Sequence, residues 1–137
     1  MDEGAGVPER YLAACNDQDG ERLAALYHQE AERASHSGRR GVERPSGEYA
    51  ERLWRAAPDS RIEIRNWAAS GSVVLYEFTD EGTHAGPLAT PSGEVMGSGR
   101  RFRIERAGVF ELRDGRIAVE RVYLDPGRFL GQLGLSR

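Results

Sequence analysis

The 137 residues suffice for one hydrophobic core, and the 39% apolar and 30% charged fractions are those of an ordinary globular domain, so one domain over 1–137 is expected. Every one of the 19 basic residues is arginine, which removes Schiff-base chemistry; scattered among 22 acids for a net charge of −3, they offer no basic patch for nucleic acid. No apolar run reaches the roughly 18 residues of a membrane span, and the acidic start Met1 to Pro8 lacks a secretory pattern, so no membrane partner and a cytoplasmic location are expected.

Cys15 stands alone, which rules out an internal disulfide and a CxxC pair. His28, His36 and His84 show no ligand spacing, so neither a metal nor another cofactor is expected.

In chain order, Val7, Tyr11, Leu12 and Cys15 recur at helical spacing after Pro8, and Asn16-Asp-Gln-Asp-Gly20 breaks the pattern. Asp19 suits the N-cap of a second helix with Leu23, Leu26 and Tyr27 on one stripe. Residues 35–47 are rich in turn formers and read as a loop. Tyr49, Leu53, Trp54 and Ala57 mark a third helix, stopped by Pro58-Asp59.

From Arg61 the period falls to two, as Ile62 and Ile64 alternate with charged neighbours. Val73 to Thr79 is apolar on both parities and reads as an interior strand holding one acid, Glu77. Seven glycines and prolines from Gly82 to Gly99 mark an excursion near a pocket mouth. In Arg101 to Leu112 the alternation slips around Arg106-Ala-Gly108, which predicts a bulge there. Asp114-Gly115 is a two-residue hairpin signal, and Phe129, Leu130 and Leu133 fit a short closing helix. Three helices before a curved, mostly antiparallel sheet make an α+β domain whose concave side can hold a small molecule.

Several short motifs, taken together and in order, resemble the SnoaL-like polyketide cyclases (ester cyclase and steroid delta-isomerase-like) of the NTF2-like superfamily. They are Asn16-Asp-Gln-Asp19, Ala57-Pro-Asp59, Gly82-Thr-His-Ala-Gly-Pro87, Gly99-Arg-Arg101, Asp114-Gly-Arg-Ile117, Val122-Tyr-Leu-Asp125 and Gln132-Leu-Gly134. The resemblance implies a cone-shaped barrel, a homodimer, and a cofactor-free aspartate that moves a proton between carbon and oxygen of a hydrophobic substrate.

Asp125 takes the aspartate role in that resemblance, and its position before Pro126 equally suits a helix N-cap. Glu120 is its rival if the register differs, or else a surface residue paired with arginine. Glu77 should need a partner in so apolar a strand, with Arg106 as one candidate. His84 could orient a carbonyl or shuttle a proton, or be structural. Tyr11, Tyr27, Trp54 and Tyr123 read as core residues that also line the pocket. Two functions stay open: a cyclase or isomerase removing a proton next to a carbonyl, and a non-catalytic ligand-binding or dimerisation module.

Overall fold

A computed structural model describes residues 3–35, 42–43, 47–90 and 92–135. The order is α1 (Val7–Asn16), α2 (Gly20–Ala25), β1 (Tyr27–Ser35), β2 (Val42–Glu43), α3 (Gly47–Ala56), β3 (Arg61–Ser70), β4 (Val73–Thr83), β5 (Leu88–Thr90), β6 (Gly93–Val95), β7 (Arg101–Arg113), β8 (Arg116–Tyr123) and α4 (Pro126–Gln132). Six strands form one sheet, β2-β1-β8-β7-β4-β3, in which only β1 and β8 run parallel. The excursion after β4 folds into a separate β5–β6 hairpin. This is an α+β architecture with a mainly antiparallel sheet.

Helix α1 starts with proline in its first turn, and Asp19 caps α2 by accepting the Arg22 backbone N–H at 3.1 Å. Tyr27, expected on the α2 stripe, instead opens β1, which runs through Ser35. The polar character of His28 to Glu32 hid this strand, because much of its length faces solvent. The expected 35–47 loop falls largely outside the described residues, apart from the two-residue strand β2.

The helices lie on one face of the sheet. Val7, Tyr11, Ala14 and Cys15 of α1, Leu23 of α2, and Ala50 and Trp54 of α3 form one core with Val74, Tyr76 and Phe78 of β4 and Phe110 and Leu112 of β7. Tyr76 stacks between Phe78 and Phe110, with ring centroids 4.1 and 4.7 Å away. Gly108 lies opposite Tyr76 in the β4–β7 register, and a side chain there would overlap the tyrosine ring. With that ring clamped between two others, Gly108→Ala should cost about 1–3 kcal/mol, measurable by urea denaturation.

The bulge expected at Arg106-Ala-Gly108 is absent. β7 pairs with β4 in unbroken register and alternates strictly, with Phe102, Ile104, Arg106, Gly108, Phe110 and Leu112 all inward. Ala107 and Val109 suggested a slip because the outer face is apolar too: Val73, Leu75 and Tyr123 are exposed there, Leu75 by 52%. Among the described residues the register shifts fall instead at Ile64/Asn66 in β3, opposite Glu111/Leu112 in β8, and between Tyr27 and Glu32 in β1. Asp114 and Gly115 join β7 to β8, both with positive φ (54° and 76°), as a tight primed turn requires.

Asp125 caps α4, its Oδ1 accepting the N–H of Gly127 at 3.0 Å and of Arg128 at 3.2 Å. The helix is clamped to β7 by Gln132, whose amide accepts from the Arg103 N–H at 2.6 Å and donates to its carbonyl at 2.8 Å. Asp125→Ala should therefore lower stability by about 1 kcal/mol in a thermal melt.

Candidate functional site

Between the helices and the inner sheet face lies a cavity of about 230 Å³. Its apolar walls come from Leu23, Ala50, Leu53, Trp54, Ile62 and Phe102, and Leu124 and Phe129 bring the chain's closing segment to it. Polar residues face it too, among them Tyr11, Asn16, Tyr27, Arg33, Asp80 and Arg106. Asn16 is committed to structure, since its amide brackets Ile62 by accepting from the N–H at 2.8 Å and donating to the carbonyl at 3.0 Å.

Strand parity delivers the first charged pair. Val74, Tyr76, Phe78 and Asp80 of β4 share the inward face, as do Ile104, Arg106 and Gly108 of β7. Asp80 Oδ2 lies 2.9 Å from Arg106 Nε, with both side chains about nine-tenths buried. The Arg106 guanidinium sits over the rings of Tyr11 and Phe78, 5.7 and 5.4 Å from their centroids, which helps it keep its charge in the interior. Arg106 also donates to the Tyr11 hydroxyl at 3.4 Å.

Burial pushes the Asp80 carboxyl above its ordinary value, and Arg106 offsets only part of that rise. Burial likewise opposes the charge of Arg106, but Asp80, Tyr11 and Tyr76 outweigh it and hold the guanidinium firmly cationic. Asp80 Oδ1 accepts no hydrogen bond from any described group. Tyr11, raised by burial, is a neutral phenol that accepts from Arg106 and keeps its own proton to donate, with the Cys15 thiol as a weak acceptor beside it.

The second charged pair comes from β1 and β8. Arg33 and Glu120 are direct register partners, and the Arg33 Nε lies 3.7 Å from Glu120 Oε1. Tyr27 donates to the same oxygen at 2.5 Å. Glu120 is only 1% exposed, so it is neither a surface residue nor part of the cavity lining; it lies behind Tyr27 and Arg33.

Four other residues expected at the site lie elsewhere. Asp125 is exposed and its carboxylate is taken up by the α4 cap. Glu77 has the wrong parity for the interior: it is exposed on the outer face, accepts from the Asn66 amide at 2.9 Å, and has lost Arg106 to Asp80. Tyr123, 44% exposed, belongs to that outer face as well. His84 is 1% exposed but does not line the cavity; its Nδ1 accepts the Ser98 N–H at 3.2 Å and lies 2.9 Å from Ser98 Oγ, fixing the 96–100 segment. Tyr11, Tyr27 and Trp54 do line it.

Asp80, Arg33 and Arg106 carry the charge of the cavity, and sequence reasoning gave none of them a role there. A parity count from Val74 would have found Asp80, the one acid on the inward positions of β4. Among the described residues no cluster of three or more histidine, cysteine, aspartate or glutamate side chains could hold a metal ion, and no helix is long and apolar enough to cross a membrane.

No curated protein sequence matches the chain significantly. Among solved structures, it is similar to AclR, a proposed hydroxylase from Streptomyces galilaeus, at 19% identity and TM-score 0.81, covering 96% of this chain and 81% of the other. IdmH, a proposed polyketide cyclase from Streptomyces antibioticus, gives 22% identity and TM-score 0.74 over 96% and 98%. An LEH-like epoxide hydrolase from M. tuberculosis gives 25% identity and TM-score 0.67 over 96% and 89%. The family model described as the SnoaL-like domain matches residues 9–120. With most of its length matched by that model and its sheet and helices superposing on such structures, the chain belongs to the SnoaL-like family and has the NTF2-like α+β fold.

Proposed function

We propose that this protein is a cofactor-independent cyclase or isomerase, located in the cytoplasm, that removes a proton from carbon next to a carbonyl of a hydrophobic, polyketide-like small molecule. Asp80 is the acid/base. The observation that carries this reading is its carboxyl group in the wall of a mainly apolar cavity, one oxygen held by Arg106 and the other without a partner. In the reaction Asp80 Oδ1 takes the α-proton, the electron pair moves onto the carbonyl oxygen, and Tyr11 and Arg106 supply a proton donor and a positive charge beside it. The proton then returns to carbon or, after ring closure, to oxygen.

Solvent-deuterium exchange tests this without the natural substrate. Incubated in D₂O with 1-tetralone, a two-ring ketone, the protein should accelerate exchange at the α-carbon above the buffer rate, read by proton NMR; a rate equal to buffer across a panel of such ketones would refute the reading.

Epoxide hydrolysis is a second reading, favoured by the 25% identity with the M. tuberculosis enzyme; there the same carboxylate would deprotonate water. Turnover of simple epoxides without α-proton exchange would select it. The exposed apolar residues Val73, Leu75 and Tyr123 suit a homodimer through the outer sheet face, which solution scattering can measure.

A further inference from the structure

The two tyrosines that face the cavity differ in the direction of their hydrogen bonds, and that difference limits what the cavity can hold. Tyr11 accepts from Arg106 and so retains a proton to give. Tyr27 does the reverse: its O–H donates to Glu120 Oε1 at 2.5 Å. Glu120 is an effective acceptor because Arg33, its register partner, places a positive charge 3.7 Å from that same oxygen. Glu120 Oε2 has no partner among the described residues, so no described group competes to turn the carboxylate away from Tyr27. With its proton committed, the Tyr27 oxygen can offer a ligand only lone pairs.

Size sets the second limit. An apolar cavity of about 150 Å³ accepts benzene. The 230 Å³ here therefore suits one substituted ring or two fused rings, and four fused rings would not fit inside it.

We propose that the cavity takes a one- or two-ring ketone bearing a phenolic or enolic hydroxyl, which donates a hydrogen bond to Tyr27 while the ketone end meets Asp80, Arg106 and Tyr11. This rests on the acid/base reading of Asp80 and names the substrate class for the same site. Tyr27 is a specificity-determining residue in it. Glu120 is a positioning residue that acts through Tyr27, since it does not itself line the cavity. Burial, followed by the charge of Glu120, pushes the Tyr27 phenol well above its ordinary value, so it stays a neutral acceptor across the working pH range. A methyl ether at the same position on the ligand has no proton to give, and presses a methyl group against an oxygen that needs one.

The test compares 5-, 6- and 7-hydroxy-1-tetralone with their methyl ethers by calorimetric titration of wild type, Tyr27→Phe, Glu120→Gln and Asp80→Asn, each checked for folding by circular dichroism. In wild type at least one hydroxy isomer should bind about tenfold more tightly than its ether, the worth of one well-placed hydrogen bond. That advantage should fall below about threefold in Tyr27→Phe. Glu120→Gln, which can turn an amide N–H toward the tyrosine oxygen, should narrow it too, keeping the test available if Tyr27→Phe fails to fold. Asp80→Asn should keep the preference while losing α-proton exchange, so failure of the acid/base reading and failure of the hydroxyl reading give different results. Equal binding of every hydroxy–ether pair, a preference that survives in both Tyr27→Phe and Glu120→Gln, or no binding of any tetralone at millimolar concentration would each overturn the proposal.

Discussion

Arg106→Ala should destabilise the protein by about 3–5 kcal/mol, the usual cost of removing one member of a buried ion pair and leaving the other charge behind. Asp80 would lose the one cation close to it among the described residues, at 2.9 Å, in a place where burial already works against its ionised form. The rings of Tyr11 and Phe78 would lose the guanidinium packed over them, leaving a void as well. Urea denaturation followed by circular dichroism measures the loss. The double variant Arg106→Met, Asp80→Asn should recover much of it, because it removes both charges and nearly restores the volume. If instead the single variant loses under 1 kcal/mol, the pair is wet and the interior description is wrong.

Asp80→Asn should lower the rate of α-proton exchange by about 10²–10⁴-fold, the contribution of a positioned general base, with the fold retained. The amide is almost the same shape but cannot take the proton. The pH dependence follows from the direction of the Asp80 shift. A base works only when ionised, and burial raises its pKa above 3.8, so the rate in wild type should climb with pH along a limb displaced upward from the range of an exposed aspartate. The same displacement has a sign for stability. Between 3.8 and the raised value the folded state binds more protons than the unfolded one, so the contribution of Asp80 to stability is greatest in acid and is lost as pH rises through that window. Thermal melts of wild type and Asp80→Asn against pH check it.

Much of the fold was legible because local signals agreed with tertiary demands. Pro8 and the Asn16-Asp-Gln-Asp-Gly20 break bounded α1, Asp19 capped α2, and Asp114-Gly115 made the β7–β8 turn with the backbone angles such a pair adopts readily. Strand β1 was not legible, because a strand whose residues are mostly polar lacks the alternation that marks one.

The site was harder to read for a related reason. Parity tells inside from outside only when one sheet face is polar, and here Val73, Leu75, Ala107, Val109 and Tyr123 make the outer face apolar too. Glu77 consequently looked like the buried acid of β4 when Asp80, three residues on and of opposite parity, is the one that faces the helices. Glu120 and Arg33 meet only because β1 runs parallel to β8, a pairing between residues 87 apart in sequence that no local pattern encodes.

The central claim is that the chemistry belongs to the enclosed carboxylate Asp80 and that Asp125, exposed at the start of α4, is a cap. The most direct measurement is α-proton exchange in D₂O for Asp80→Asn and Asp125→Asn side by side with wild type. The account predicts that Asp80→Asn falls to near the buffer rate while Asp125→Asn keeps the wild-type rate. An Asp125→Asn protein that is folded and inactive, beside an active Asp80→Asn, would contradict it.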